Sequence, residues 1–200
     1  PFRRLVFRGS LGSDAGKAFR WNLERVFGEK LGLERSSRNQ LMSGSVALYV
    51  NRRQDRTDVL HEYFVPPSRL ADFLARAREI VPRHGADLLN VTLRDVRRDD
   101  DTLLRYADQD MIALVFFFDQ WRTPEAEAGM TALTRELIEA CLSVGGHYYL
   151  PYRPHATVDQ FLRAYPQAPA FFAAKRRYDP GELFQNQFYL RYRYTPQSGK

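Results

Sequence analysis

The first chemical pattern in the sequence is a glycine-bounded segment followed by lysine, the composition of a phosphate-binding loop. It runs Gly12-Ser-Asp-Ala-Gly16-Lys17. Backbone N–H groups and a lysine cradle phosphates in such loops, but here the glycines are one residue too close, and Ala18 stands where Ser or Thr would hold magnesium. A helix-capping turn is therefore the better interpretation. No G-x-G-x-x-G segment follows a strand, so the sequence does not predict a dinucleotide-binding fold.

Residue types that often bind metals are present but scattered. The four histidines, which lack metal-site spacing and have no cysteine partners, are His61, His84, His147 and His155. The three aspartates at 99–101 could chelate a hard cation, but a solvated turn is the better interpretation. The single cysteine, Cys141, falls on a helical pattern and is expected in the core, without a disulfide partner. We expect no metal site.

Composition and charge exclude several classes of protein. With 44% hydrophobic residues the chain has an ordinary globular composition, and its longest apolar run, residues 112–118, is far shorter than the roughly 20 residues of a membrane span. The start of the chain carries no signal-peptide pattern. The net charge of +6 is spread as pairs of arginines, which favours a solvated surface with an anionic ligand or cofactor over nucleic acid. We expect a cytoplasmic protein without a transmembrane segment.

Hydrophobic periodicity predicts the elements that would position a site. The predicted strands cover residues 59–65, 88–96, 111–118 and 147–150. Apolar residues at helical spacing predict two helices, one after Ser68 and one after Thr123, each with that residue as its N-cap. The order β-α-β-β-α-β predicts an α+β domain with a ferredoxin-like core, in which an antiparallel sheet carries both helices on one face. Flanking elements are predicted at 5–8 (strand), 15–27 (helix), 46–50 (strand), 158–165 (helix) and 170–178 (helix).

Three segments from residue 57 to the end carry a resemblance to a known family. They are Asp179-Pro-Gly-Glu-Leu-Phe-Gln-Asn186, similar to a terminal D-P-x-x-x-F-x-N signature; Gly145-Gly-His-Tyr-Tyr-Leu-Pro-Tyr-Arg153; and Leu93-Arg-Asp-Val96, followed by an acidic turn and a strand at 111–118. In this order they resemble the vanillyl-alcohol-oxidase-type flavoproteins. The most similar branches are alditol and sugar-lactone oxidases, decaprenylphosphoryl-ribose oxidase and sterol side-chain reductases.

The resemblance implies a particular place in a larger enzyme. In that family an N-terminal domain binds FAD, and a cap domain covers the flavin with an antiparallel sheet; the glycine-rich segment that binds the FAD pyrophosphate has no counterpart here. The resemblance therefore implies a linker region at 1–56, a cap domain core at 57–152 and a C-terminal segment at 153–200 that packs toward the flavin domain. This chain would supply the substrate-binding part of an FAD-dependent oxidoreductase, inactive without the FAD domain.

The resemblance also assigns roles in transferring a hydride from an alcohol carbon to flavin N5. Arg94 matches an arginine that lines the active site of alditol oxidases, where it would bind substrate oxygens and assist catalysis; a sheet-face ion pair is the alternative. Two residues earlier Thr92 replaces an acid of those oxidases, which argues against a polyol substrate. Tyr152 stands where related oxidases have a lysine near the flavin, and is expected to contact the cofactor and to take part in catalysis; a packing role is the alternative. His147 is a third candidate for acid–base catalysis, because histidine is the residue type suited to proton transfer near neutral pH.

The remaining candidates concern the cofactor and the substrate. Arg153 would supply positive charge near the flavin, and Asn186 matches the signature asparagine, which could contact the cofactor or fix the C-terminal turn. Glu62 and its neighbour His61 point to opposite faces of a strand, so only one of them can face the cavity, and for either residue a surface position or a cross-strand pair is the alternative. We name Glu62 and Phe117 with Arg94 as substrate contacts. Aromatic side chains on the predicted strands favour an apolar or lipid-linked alcohol over a small polyol.

A second hypothesis from a different class remains open. A ferredoxin-like domain can be a free-standing binding module that recognises RNA or a small ligand on its sheet, because this architecture hosts many functions. An RNA reader should carry aromatic and basic residues in a set pattern on its central strands. Residues 91–96 and 111–118 do not match that pattern, and the tail after residue 153 has no use in such a module.

Overall fold

A four-stranded antiparallel sheet forms the centre of the protein, as seen in a computed structural model that describes residues 2–30 and 50–193. The strands are β1 (Arg56–Val65), β2 (Asp87–Val96), β3 (Met111–Trp121) and β4 (His147–Tyr148). Their spatial order is β2-β3-β1-β4, so the long central strands β1 and β3 lie side by side. This is the order of a ferredoxin-like sheet, and the α+β class is confirmed.

Seven α-helices surround this sheet in the described part of the chain. They are α1 (Phe2–Gly9), α2 (Asp14–Lys30), α3 (Leu70–Arg83), α4 (Pro124–Leu142), α5 (Val158–Ala164), α6 (Ala168–Tyr178) and α7 (Gln187–Tyr192). A short 3₁₀ turn, Pro67–Arg69, precedes α3. The run β1-α3-β2-β3-α4-β4 is the predicted β-α-β-β-α-β unit. No helix in residues 2–30 and 50–193 has the length and hydrophobicity needed to cross a bilayer.

Successive side chains along the central strands point to opposite sides, which gives the sheet two distinct faces. The helix face carries Tyr63 and Phe116, which pack with α3 and α4 in the main core, and both predicted helices therefore lie on one face. The second face carries Glu62, with Val115 opposite it on β3. The helix-face core continues into the C-terminal helices, since Phe161 of α5 stacks on Tyr192 of α7 at 4.4 Å between ring centroids.

Local sequence signals explain where the helices begin. Thr123 caps α4 by accepting a hydrogen bond from Ala126 N at 3.2 Å, and Pro124 occupies the first turn, where it has no hydrogen bond to lose. Thr157 and Gln160 form a reciprocal capping box at α5. The predicted cap at Thr123 is confirmed. The predicted cap at Ser68 is wrong, because Ser68 lies within the 3₁₀ turn and α3 begins after Arg69 with no side-chain cap.

Two further expectations differ from the structure, one helix was not predicted, and one expectation falls almost entirely outside the described residues. Residues 5–8 form helix α1 and not a strand, because an apolar run this short fits either period and docking of Phe7 against Phe117 decides it. Strand β4 has two of the four predicted residues. Helix α7 was not predicted; Asn186 caps it. The strand expected at 46–50 lies, apart from Val50, outside the described residues.

Gly146 provides a test of this packing. A Cβ built at Gly146 would lie 2.5 Å from the Phe64 carbonyl oxygen and 2.6 Å from Cys141 Sγ, so an alanine cannot fit without moving β1 or α4. We expect Gly146→Ala to lower the free energy of unfolding by on the order of 2 kcal/mol in chemical denaturation. Gly129→Ala, on α4 with nothing within 4 Å, is the control and should raise it by about 0.5–1 kcal/mol. Equal effects at both positions would contradict the packing described.

Candidate functional site

Three of the predicted site residues meet on the second face of the sheet. The carboxylate of Glu62 lies at the centre, 6% exposed. Arg94 Nη1 lies 3.8 Å from Glu62 Oε1, and the Tyr152 hydroxyl donates a long hydrogen bond of 3.5 Å to Glu62 Oε2. The three side chains come from β1, β2 and the segment after β4, so that strand pairing and not sequence proximity brings them together.

The sheet register explains this convergence. Glu62 on β1 and Thr92 on β2 both pair with Val115 of β3, and Arg94 is two residues beyond Thr92, on the same face. On the other side of β1, the Tyr149 N–H donates to the Glu62 carbonyl oxygen at 2.9 Å, which fixes the chain just before Tyr152. The site therefore depends on three separate strand alignments. Thr92 itself is exposed beside it.

The electrostatics of Glu62 suit proton transfer. Burial raises the pKa of the Glu62 carboxyl, and the charge of Arg94 and the Tyr152 hydrogen bond offset only part of that effect. Burial, followed by the nearby Glu62 charge, also raises the pKa of the Tyr152 phenol, which keeps it protonated as a donor. Arg94 is 60% exposed, so its guanidinium can contact a ligand as well as Glu62. The group combines a potential general base, a hydroxyl donor and a fixed positive charge.

Aromatic rings form a wall beside Glu62. Phe64 stacks on Tyr106 with 4.4 Å between ring centroids, Tyr106 meets Tyr149 edge-on at 5.2 Å, and Tyr149 meets Tyr152 at 5.5 Å. Tyr106 comes from the loop between β2 and β3, inside a run rich in aspartate and arginine. Tyr106 was not predicted as a site residue, because no periodic signal in the sequence distinguishes it. The wall gives the site an apolar side next to its charged centre.

Phe117, named as a substrate contact, lies on the same face but under a helix. Its ring centroid is 5.9 Å from that of Phe7 on α1, and the guanidinium of Arg8 lies 5.7 Å from the Phe117 ring centroid. Arg8 also pairs with Asp58 at 2.6 Å, which anchors α1 to β1. Helix α1 thus covers the second face at Phe117, whereas Glu62 lies next to the aromatic wall.

The other predicted residues make their contacts elsewhere. His147 Nδ1 lies 2.7 Å from the Ala164 carbonyl oxygen and its Nε2 lies 3.5 Å from Asp108. Arg153 forms an ion pair with Glu127 of α4. Asn186 Oδ1 accepts a hydrogen bond from Tyr189 N at 2.8 Å, as the cap of α7. The structure therefore gathers Glu62, Arg94 and Tyr152, and gives Arg153 and Asn186 partners within the fold.

A buried polar network on the helix face was not predicted. Thr134 Oγ1 of α4 lies 3.2 Å from His61 Nε2 and 3.1 Å from His155 Nδ1, and His155 Nε2 lies 3.0 Å from Glu127 Oε1. Burial, together with the charges of His155 and Arg153, lowers the pKa of His61 to about 3, so His61 is neutral at physiological pH. A sequence signal did exist: Glu127 and Thr134 are polar positions seven residues apart, on the apolar stripe of α4.

Comparisons with known proteins assign no family to the chain. No family model matches the sequence, and no curated protein matches it significantly. Among the described residues, no group of three or more His, Cys, Asp or Glu side chains is arranged to hold a metal ion. A function for the chain is therefore inferred from the geometry of the site.

Glu62 makes the electrostatics of the site testable without any ligand. Its pKa in the folded chain is raised above the ordinary value of 4.5, so the cost of ionising it is absent below pH 4.5 and is present in full above the folded-state pKa. We expect Glu62→Gln to raise the free energy of unfolding at pH 7 and to lose this advantage at pH 4, measured by urea denaturation. Glu139→Gln on α4, whose carboxyl pKa is lowered by its hydrogen bond with Arg163, should give no such gain. A loss of stability in Glu62→Gln at pH 7 would show that the carboxylate stabilises the fold.

Proposed function

We propose that this chain is the substrate-binding part of an FAD-dependent oxidoreductase that removes a hydride from an alcohol carbon. The observation that supports this most is the convergence of Glu62, Arg94 and Tyr152 on one face of the sheet. Oxidation of an alcohol needs a group that accepts the hydroxyl proton and a cation that orients oxygen atoms. The two side chains beside the buried carboxylate, a phenol and a guanidinium, complete such a set.

Each residue has a definite task in this proposal. Glu62 accepts the proton of the substrate hydroxyl, for which its raised pKa suits it at neutral pH. Tyr152 donates a hydrogen bond to the substrate oxygen or to the cofactor, and Arg94 binds a substrate oxygen from the solvent side. FAD supplies the hydride acceptor. Of the three residues expected at the cofactor, Tyr152 has its polar atom at this site, whereas Arg153 pairs with Glu127 and Asn186 caps α7.

FAD itself would be held mainly by another domain of a longer protein. The sequence contains no glycine-rich pyrophosphate-binding segment. A surface suited to contact such a domain is formed by the end of α6 and the turn after it, where Tyr178, Leu183 and Phe184 are 80%, 83% and 80% exposed. The turn is ordered by Asp179, which accepts hydrogen bonds from the N–H groups of Leu183 and Phe184 at 2.9 and 3.0 Å. Large apolar side chains held in water on an ordered turn favour an interface.

The aromatic wall indicates the class of substrate. Phe64 is buried, and the half-buried rings of Tyr106, Tyr149 and Tyr152 around it form a surface that suits an alcohol with apolar bulk, such as a lipid-linked, sterol-like or aromatic alcohol. Thr92, at a position where an acid would bind a polyol, is consistent with this choice. The single, buried Cys141 favours the cytoplasm as the compartment.

The alternative, a free-standing ferredoxin-like module that binds RNA or a small ligand on its sheet, has less support. Such a module needs its second face open, and here Phe7 of α1 covers Phe117 on that face. A buried glutamate also disfavours a polyanion such as RNA at the same place.

The test of the proposed function uses the longest natural chain that contains this segment, beside the 200-residue chain. We expect the two absorbance bands of oxidised flavin in the long chain alone, and bleaching by an alcohol with apolar bulk in the absence of oxygen. Glu62→Gln should retain the flavin spectrum and lower kcat by roughly 10²–10⁴, the usual contribution of a general base. Absence of flavin from both chains would refute the proposal, as would full activity of Glu62→Gln.

The exposed turn gives an independent prediction. Leu183→Ser and Phe184→Ser should change the stability of the 200-residue chain by less than about 0.5 kcal/mol, because both side chains already lie in water. In the long chain the same changes should weaken domain contact, seen as faster proteolysis between the domains and easier release of flavin. Leu5→Ser, at a side chain 69% exposed on α1, is the control and should leave both unchanged. Identical behaviour of the turn variants and the control would rule out this interface.

A further inference from the structure

The carboxylate of Glu127, in the first turns of α4, fixes the chain that leads away from β4. It receives three donors: the Arg153 guanidinium, His155 Nε2 at 3.0 Å and Gln120 Nε2 at 2.9 Å. Although burial raises the pKa of the Glu127 carboxyl, these hydrogen bonds and the Arg153 charge leave it lowered, so Glu127 is ionised at neutral pH. Two of the three donors, Arg153 and His155, belong to the same segment of chain.

Further contacts hold this segment immediately after Arg153. The Arg135 guanidinium, also on α4, donates to the His155 carbonyl oxygen at 2.8 Å. His155 Nδ1 lies 3.1 Å from Thr134 Oγ1, and the His155 side chain is 7% exposed. Helix α4 therefore holds residues 153–155 in place through contacts of the side chains of Glu127, Thr134 and Arg135.

Tyr152 comes directly before this anchored segment, and its side chain reaches the second face of the sheet. Its hydroxyl meets Glu62 at 3.5 Å, and its ring meets that of Tyr149 at 5.5 Å between centroids. Its ring also meets that of His61 edge-on at 6.4 Å between centroids. The hydrogen bond to Glu62 is long and Tyr152 is half-buried, so without the anchored segment these contacts hold it weakly. A shift of Arg153 would carry the Tyr152 backbone with it.

We propose that Glu127 is the positioning residue for Tyr152: through Arg153 and His155 it sets the place of the Tyr152 hydroxyl against Glu62. The inference rests on the proposed function for its catalytic meaning, but the coupling it describes belongs to the chain alone. Glu127 lies on the helix face and Glu62 on the second face, so the ion pair acts through the backbone of residues 152–155.

The test is a double-mutant cycle read on the Glu62 carboxyl, whose pKa is measured by carbon NMR in the glutamate-labelled 200-residue chain, with Glu62→Gln to assign the signal. In the parent protein Tyr152→Phe removes a hydrogen-bond donor from Glu62 and should raise the Glu62 pKa further. In the Glu127→Gln background the same change should leave the Glu62 pKa unmoved, because Tyr152 has already left the carboxylate.

Arg153→Gln separates positioning from simple charge effects. Removal of Glu127 and removal of Arg153 change the local charge in opposite directions, yet both release the segment, so both should abolish the effect of Tyr152→Phe. Glu139→Gln, elsewhere on α4 and paired with Arg163 at the surface, should preserve it in full. Thermal unfolding confirms that each variant is folded, and Arg153→Gln serves where Glu127→Gln fails to fold.

Two results would overturn the proposal. One is a Tyr152→Phe effect on the Glu62 pKa that is as large in the Glu127→Gln and Arg153→Gln backgrounds as in the parent. The other is no effect of Tyr152→Phe in the parent itself. Neither result depends on flavin or substrate, so failure of this inference is distinguishable from failure of the proposed function, which the flavin spectrum of the longer chain decides.

Discussion

A carboxylate held out of water on a sheet face is the constraint on which the rest of the site depends. An ionised group loses hydration when it is buried, and the loss is tolerated only where donors and cations replace the water. At Glu62 the replacement is incomplete: one long hydrogen bond and one arginine at 3.8 Å. Carboxylates with a structural role elsewhere in the described residues have closer hydrogen-bond and ion-pair partners. Asp179, for example, has a lysine at 2.5 Å and two backbone donors, and its pKa is lowered to about 2. The contrast is typical of a functional group whose reactivity is retained at the expense of stability.

The two faces of β1 separate two kinds of chemistry that are carried by two consecutive residues. Glu62 faces the aromatic wall, and His61 faces α4, where burial keeps it neutral. The helix-face network of Thr134, His155 and Glu127 reaches the site through the chain that turns around the edge of β1, and through the His61 ring, which meets the Tyr152 ring edge-on at 6.4 Å between centroids. The well-packed helix layer thereby restrains the site, which has little rigid packing of its own. Support of this kind, from groups that never touch a ligand, commonly decides how well a site is pre-organised.

Much of the architecture follows from sequence because its signals are local and strong. The aromatic and β-branched run of β3 and the Thr-Pro start of α4 identify their elements directly. Three members of the candidate site were named from the sequence, but Tyr106 was not, and the arrangement of the group was not predictable. That Glu62, Arg94 and Tyr152 meet depends on strand register, which no single segment encodes. The prediction of a strand at residues 5–8 was wrong for a related reason. The short apolar run there fits both a strand and a helix period, and Phe117, the packing partner that decides between them, lies 110 residues from Phe7 along the chain.

Strand β4 is two residues long, and the chain leaves the sheet just where the site begins. The side of the site next to β1 is therefore built from irregular chain, Tyr149 to Tyr152, and not from a strand whose every residue is tied to a ladder. Irregular chain tolerates insertions and exchanges that a paired strand does not. Substitutions in this segment can accordingly reshape the aromatic wall while the sheet, its register and the buried carboxylate stay unchanged. Sequence variation can therefore accumulate here before the fold itself changes.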